Sequence, residues 1–504
     1  MSTKARDHVS SESAAEPSGG THGRLARNAI GPLGVVFMVV ATAAPITAMS
    51  GNTPYIVGFG VGGNAPGIFL IVTLILSIFS IGYVRLARHI TTTGAFYGYV
   101  SHGLGQLLGL GSGVLALFAY LIFEVAIAGA FAYFAQSGLA SLGIHVEWIW
   151  LALCVLVINF VLSYFKISIG TVVLGVFLIL EIAILALNAI SGVANPGPDG
   201  YALSSLNPVN ALTAIQGGSV GLALFLGFWS WVGFESTAIY GEESRNPRRT
   251  VPIATFVSVI GIGLFYTFVS WASIVTNGVD HALELTQGDN PIDLFLEPAA
   301  MHLGQWAVPT FYVLMVTGSF ACSLAFHNSA SRYLYALGRD QVSRFLTPLG
   351  RTHPKTQSPY VASMAQSIIA AILVGVMYAT GITAYDTFVL VGLMGTLSIL
   401  IVQVFASISV IGYFRRHHRD EWHWFTTLTA PAISAIAMIG VIGLLLTNQE
   451  NAVGGTAAQS WLFPAIPWIV TSLFLLTLVW GVSLRRTAPE TYQRIGRLVL
   501  DSEE

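Results

Sequence analysis

Charge is what this chain has least of. Only 9% of its 504 residues are Asp, Glu, Lys or Arg, where a soluble globular protein carries about 25%. So little charge cannot cover a water-facing surface, so most of the outer surface must face lipid. Cysteine is nearly absent as well. Cys154 and Cys322 both fall inside apolar runs, where a thiol reads as a small core residue. No His, Cys, Asp or Glu set has metal-ligand spacing, and no nucleophile–base pair stands out. No catalytic residue, metal or cofactor is therefore expected. The run GLGQLLGLG (Gly103 to Gly111) has glycines spaced like a nucleotide loop, but no strand precedes it and an apolar helix follows. The chain has no Walker lysine motif either, which excludes ATP as the direct source of energy. The net charge of −2 says little by itself, and no nucleic-acid partner is expected.

Apolar residues are abundant, at 54% of the chain. A hydrocarbon core about 30 Å thick needs about 20 apolar residues per helix. Twelve such runs start near Pro32, Pro66, Gly109, Trp148, Ile169, Gly218, Ile253, Trp306, Tyr360, Asp386, Phe425 and Phe463. Residues 1–27 are polar and rich in Ser, Ala and Gly, without the pattern of a signal peptide, and are expected to form a disordered cytoplasmic tail. The positive-inside rule tests the count. With twelve spans and the amino terminus inside, all 22 Lys and Arg fall on inner segments and none on an outer loop. A missed helix would scatter them over both faces. The outer loops carry acids instead, among them Asp280, Glu284, Asp289 and Asp293. They read as a solvated loop that can also concentrate a cationic solute.

Two runs in corresponding positions look broken, as expected of a transporter built from inverted repeats. In the first, Pro45 removes a backbone donor, and Gly51 and Pro54 follow. The sixth run is interrupted at Gly233, beside the acid Glu235. A carboxylate at that depth costs about 2.5–3.5 kcal/mol on insertion scales, so it needs a partner or a use. Helices one to five would then form one repeat (28–192) and helices six to ten a second (193–414). Two further helices (415–484) and a cytoplasmic tail (485–504) complete the chain. Unwound backbone at mid-membrane is tolerated where it lines a cavity, and its free amides and carbonyls can hold a solute. Helix amino-terminal ends suit a carboxylate and carbonyl ends an ammonium, the two charges of an α-amino acid. Thr42 to Thr47, which includes Ala43, Ala44, Pro45, Ile46 and Thr47, and Ser230 to Ser236, with Gly233, are the expected clamp.

Three motifs carry a resemblance to a known family. The stretch Leu226 to Pro252, LGFWSWVGFESTAIYGEESRNPRRTVP, has an aromatic-x-x-x-Gly-Phe-Glu segment and then Glu-Glu-x-x-Asn-Pro-x-Arg. The stretch Thr91 to Gly105 is TTTGAFYGYVSHGLG, and after the eighth run come SRYLYALGRDQ and RTHPKTQSPYVA. Together they resemble the amino acid–polyamine–organocation (APC) permeases, of the bacterial amino acid permease type, over nearly the whole chain. The resemblance implies an all-α integral membrane protein of twelve helices in a leucine-transporter-like (LeuT-like) 5+5 inverted repeat, with the first and sixth helices broken. It implies a secondary transporter in the bacterial plasma membrane, working by alternating access with both termini cytoplasmic. Its partners would be an amino acid or amine, protons and the lipid bilayer.

Carried over residue by residue, the resemblance implies that Trp229 is an aromatic gate over the substrate, with Phe326 either a second gate or packing. It makes Glu235 a coupling acid. Glu124 falls where the family can hold a polar residue facing the substrate side chain. It would pair with a cationic substrate there, or be a protonated acid hydrogen-bonded between helices. Glu181 stands near the place where many sodium-independent relatives carry a lysine, and a buried carboxyl there is a proton-coupling candidate. Lys166 at the end of the same helix reads as a snorkelling charge. His327 reads as a relay or as an interhelical hydrogen bond, and Ser319 and Ser323 as candidates to line a former cation site. Proton-coupled uptake of an amino acid is the expected function, with a polyamine or cationic amino acid exchanger as the alternative. A non-transporting sensor would need a sizeable signalling domain.

Overall fold

The computed structural model describes residues 31–90, 94–165, 169–239, 244–354, 357–447, 457 and 459–496. The expected amino-terminal tail (1–27), Lys166, and the end of the carboxyl-terminal tail lie outside the described residues, as do parts of the family-like motifs at 91–93, 240–243 and 355–356. The described residues are helical and contain no β-strand. In lipid every backbone polar group must be satisfied within the chain, and helices do this one segment at a time. Nine helical stretches among the described residues are long and apolar enough to cross a membrane, and Trp148–Tyr164 and Val220–Trp229 are shorter apolar helices. The protein is multi-pass.

The first stretch is not one helix. Helix α1 (Pro32–Ala43) and α2 (Pro45–Ile56) are separated at Ala44, and α3 (Ala65–His89) follows. The short α4 (Phe96–Leu104) leads into α5 (Gln106–Ala140), the long central helix, then α6 (Trp148–Phe165) and α7 (Ile169–Ala194). Next come α8 (Val220–Trp229) and the single turn α9 (Ser236–Ile239), parted by a second interruption. Helix α10 (Pro247–Asn277) begins six residues before the expected Ile253. The expectation followed apolar residues alone, whereas Pro247 fits the first turn of a helix, where its missing N–H has no partner to lose, and the cationic turn Arg248–Arg249 is part of the helix.

The acidic segment expected as a solvated loop instead folds into α11 (Val279–Gln287) and α12 (Asp293–His302). Each contributes to the core, Ala282 from α11 and Leu294 and Phe295 from α12, and Gln287 Nε2 donates to Gly58 O at 2.8 Å. Helices α13 (Ala307–Arg339), α14 (Tyr360–Ala379), α15 (Ala384–Arg416), α16 (Ala430–Thr447), α17 (Leu462–Thr487) and α18 (Pro489–Arg494) complete the order. Helices α5, α13 and α15 form the packed centre, and α15 is buried along most of its length. Close approach there depends on small residues, as usual between membrane helices. A Cβ on Gly395 would come 2.7 Å from the Phe123 ring, and one on Gly392 would collide with the Trp229 ring. Cys154, expected in the core, instead faces outward from the bundle.

Candidate substrate site

The two interruptions meet. Ala44 has φ 44° and ψ 75°, a left-handed conformation that costs an L-residue roughly 1–2 kcal/mol. Pro45 cannot donate, so α1 ends and α2 starts afresh with its first amides unpaired within the helix. The freed carbonyls find other donors: Tyr266 O–H donates to Ala43 O at 3.1 Å and Cys322 Sγ–H to Thr42 O at 3.0 Å. Across from them α8 ends at Trp229, and Gly233 turns the chain with φ +115°. A Cβ on Gly233 would collide with the Thr42 side chain. Glycine is therefore required there twice, by conformation and by the approach of the other break.

Glu235 staples the second interruption. Its carboxylate accepts from Gly233 N–H at 3.1 Å and Tyr120 O–H at 2.8 Å, and its carbonyl accepts from Tyr83 O–H at 2.6 Å. Ser230 O–H donates to Leu226 O at 2.8 Å, and its hydroxyl accepts from Asn52 Nδ2 at 3.0 Å. Asn52 thus ties α2 to the end of α8, while its Oδ1 has no partner among the described residues. Glu181, on α7, faces the backbone N–H of Ile46 in the first turn of α2. It lies against Gly318, where a Cβ would stand 2.8 Å from the carboxyl carbon, and its Oε2 is buried without a partner among the described residues. Thr47 Oγ1 and Ser319 Oγ are 3.2 Å apart beside it.

Between the interruptions lies a cavity of about 20 Å³, room for about one water. Its walls are Thr42, Ala43, Ala44, Thr47, Ala48, Asn52, Ile127, Trp229, Val232, Cys322, Phe326 and Phe388, none of them charged. Trp229 packs on Phe388 with ring centroids 4.4 Å apart and on Phe123 at 6.2 Å, and Phe123 stacks on Phe326 at 5.1 Å. Beyond Phe388 the aromatics continue through Tyr385 to Tyr133, 6.2 and 4.6 Å between successive rings. These last two line a second, larger cavity of about 440 Å³ with Gln136, Trp148 and Tyr378. Trp229 and Phe388 both wall the small cavity, and Phe388 connects it through Tyr385 to the larger one, the vestibule.

Of the residues expected to hold a solute, Ala43, Ala44, Thr47, Trp229 and Phe326 line the small cavity, whereas Pro45, Ile46, Ser230, Gly233 and Glu124 are not among its walls. Glu124 and His327 are both 0% exposed. His327 Nδ1 lies 3.0 and 3.2 Å from the two Glu124 oxygens, Gln366 Nε2 donates at 2.6 Å and Asn159 Nδ2 at 3.3 Å. His327 Nε2 is 2.7 Å from Ser363 Oγ, and Asn159 also donates to Ser323 at 2.8 Å. This set is complete for a carboxylate, which accepts and does not donate, and it joins α5, α6, α13 and α14. Ser323 therefore belongs to that cluster and Ser319 to the first interruption. Sequence reasoning missed Asn52, Phe123, Phe388 and Gly392. Asn52 could have been singled out as a polar side chain inside a membrane run, but the aromatics gave no signal among the chain's 29 Phe. The fold also brings His89, His418 and Glu421 within 4.8 Å of one another, although no metal spacing links them in sequence. Arg85 stands 3.9 Å from the same carboxylate, which disfavours a further cation there.

Comparison with known proteins agrees with this architecture. A model of the amino acid permease family matches residues 30–489. The branched-chain amino acid permease BcaP of Bacillus subtilis is 23% identical over 411 residues, 77% of this chain and 82% of that protein. The methylthioribose transporter of the same organism is 25% identical over 355 residues, 66% of this chain and 73% of its own length. The low-affinity putrescine importer PlaP of Escherichia coli K12 is 24% identical over 430 residues, 83% and 88% of the two chains. With its interrupted helices and a family match over most of its length, the chain belongs to the amino acid permease family, within the APC superfamily.

Proposed function

We propose that this permease moves a neutral α-amino acid with an apolar side chain across the bacterial inner membrane by alternating access, with proton-coupled uptake. The observation that carries this reading is the meeting of two helix interruptions at a cavity with no charged wall. The amide of Thr47 in the first turn of α2 suits the substrate carboxylate, and the carbonyl end of α8 suits its ammonium. Ala48, Ile127, Val232 and Phe326 offer the side chain an apolar wall. One relative's name specifies branched-chain amino acids and another's putrescine. The uncharged lining favours the first, because a dication would lose its water without gaining a counter-charge. A cationic exchanger would need Glu124 in the cavity, and Glu124 is held elsewhere by His327, Gln366 and Asn159.

In this reading the helices form a twelve-span, 5+5 inverted repeat (28–192 and 193–414) with both termini cytoplasmic, supported by the placement of Lys and Arg. Trp229 and Phe388 form the gate towards the vestibule, and they must part to admit anything larger than a water. Glu181 is the first candidate for the coupled proton, since its unpartnered oxygen sits beside the first turn of α2. Glu235 is the second, because losing its bonds to Gly233 and Tyr120 would release the turn after α8.

Proteoliposomes given labelled leucine, valine, alanine, arginine, glutamate or putrescine in the external buffer test the reading. Leucine or valine uptake stimulated by an inward proton gradient is expected, with Glu181→Gln abolishing the stimulation and keeping leucine–leucine counterflow. Arginine or putrescine movement that needs internal counter-substrate would replace the reading with the exchanger. Binding of a solute without movement would replace it with the sensor.

A further inference from the structure

The last turn of α17 carries two adjacent arginines, Arg485 and Arg486, with no carboxylate partner among the described residues. They line a cleft of about 320 Å³ together with Leu107 from the start of α5, Val482 and Tyr492 of α18. The nearby acid Glu490 lies instead 3.9 Å from Arg494 of the same short helix. From Leu462 to Arg485 the helix rises about 35 Å at 1.5 Å per residue. That exceeds a hydrocarbon core of about 30 Å, so the guanidinium groups reach headgroup depth. Below them the outward face of α17 is apolar: Leu475, Leu476, Val479 and Val482 are exposed at helical spacing. An apolar track leading to a pair of unpaired guanidinium groups matches one kind of molecule. Acyl chains lie along the track, and a phosphate accepts the planar, bidentate hydrogen bonds that guanidinium groups offer.

We infer that this cleft binds the headgroup phosphate of an anionic membrane phospholipid. The binding depends on the protein being in a membrane and is independent of which solute it carries. It also has a consequence for the carboxyl-terminal segment. Tyr492 forms one wall of the cleft, and four residues later Gly496, with φ +67°, is buried. Gly496 N–H donates to Asp340 Oδ2 and to Tyr97 Oη, each at 2.9 Å, and Tyr97 O–H donates to the same Asp340 oxygen at 2.6 Å. The segment thus straps the end of α13 to α4, and α13 carries the cavity residues Cys322 and Phe326. A lipid seated between α5, α17 and α18 holds that strap in place.

The test uses the full chain purified in mild detergent, with native mass spectrometry of bound dioleoylphosphatidylglycerol against dioleoylphosphatidylcholine. Retention of phosphatidylglycerol over phosphatidylcholine is expected, weakened at least tenfold in the Arg485→Gln/Arg486→Gln variant. The control Arg415→Gln/Arg416→Gln removes the same charge from the end of α15 and is expected to retain the lipid. Leu107→Trp, which fills the cleft and leaves both arginines, is expected to lose the lipid as well, and it serves if the double arginine variant does not fold. Hydrogen exchange of 489–496 should slow when phosphatidylglycerol is added to the parent chain. Equal retention of the two lipids, or equal losses in both arginine pairs, would overturn the inference in favour of general surface charge. Displacement of the lipid by inorganic phosphate at matching concentration would instead make the cleft a site for free phosphate.

Discussion

Replacing His327 with Gln tests what the Glu124 cluster does. The substitution removes a ring nitrogen within 3.0 and 3.2 Å of the two carboxylate oxygens and breaks the link to Ser363. Losing one partner of a buried pair costs about 3–5 kcal/mol, because the other is left desolvated and underbonded. Gln366 and Asn159 still donate to Glu124, which places the loss near the lower end, about 3 kcal/mol. A large domain loses about 2–4 °C of midpoint per kcal/mol, so a drop of roughly 6–12 °C is expected in detergent-solubilised protein. The assay is a double-mutant cycle of Glu124→Gln, His327→Gln and the pair, read by the temperature at which the monodisperse peak is lost. Each single variant should melt early, and the double should melt well above the sum of the two losses, since removing both partners leaves no buried carboxylate short of a donor. Additive losses, or single variants that melt with the parent, would show that the pair does not hold α5 to α13 and α14. A Glu124→Gln variant that melts normally but loses transport of a cationic substrate carried by the parent would restore Glu124 as a substrate ligand.

Three further perturbations follow from the geometry. Gly392→Ala would push a methyl group into the Trp229 ring, and leucine uptake should fall at least tenfold. Gly440→Ala, where nothing lies within 4 Å, should leave uptake unchanged; equal effects would mean that Trp229 does not need its place against α15. Burial raises the Asp293 carboxyl above its ordinary value, with Glu297 adding to the rise and the Asn290 hydrogen bond opposing it. A raised carboxyl contributes stability below its unfolded value and loses it as pH rises through its folded value. Asp293→Asn should therefore melt slightly later than the parent at pH 7, with the gain vanishing near pH 4; a gain that grows on acidification would contradict the sign. Gly496→Ala places a Cβ on a left-handed residue against Ser101 and should make the carboxyl-terminal segment cleavable by protease while the bundle's melting point stays within about 2 °C.

Much of this architecture is legible in the sequence because membrane burial leaves coarse marks. Apolar runs announce helices, and Pro45 and Gly233 announce interruptions through a missing donor and a missing side chain. Glu235 is legible as an acid in need of a partner, yet nothing local says that the partner is the Gly233 amide two residues back. The proposed aromatic gate is the opposite case. Phe388 and Gly392 come from α15 and Phe123 from α5, and they meet Trp229 only through packing between helices far apart in sequence. The α11 and α12 helices were hidden for a related reason: the segment's acids suggest solvent, and its Leu294 and Phe295 acquire a core only once the ends of other helices surround them.

The cluster and the cavity share two helical turns, and this adjacency connects stability to gating. Glu124 follows Phe123 on α5, and His327 follows Phe326 on α13. Consecutive residues on a helix point about 100° apart, so each turn sends a polar side chain towards the α6–α14 side and a ring into the Trp229–Phe123–Phe326 aromatic cluster. Phe123 and Phe326 stack on one another, and Phe123 supports Trp229. A carboxylate with complete hydrogen bonding fixes the rotation of α5 relative to α13 far more narrowly than apolar packing, because a small rotation would break bonds of 2.6 to 3.0 Å. The two rings therefore form a fixed platform, and on the proposed alternating-access reading movement falls to Trp229, Phe388 and the turns at Ala44 and Gly233. On this view the buried acid on α5 acts at one remove from the solute. Its variants should slow the opening of the gate and destabilise the fold together, whereas variants of Trp229 should change transport with little loss of stability.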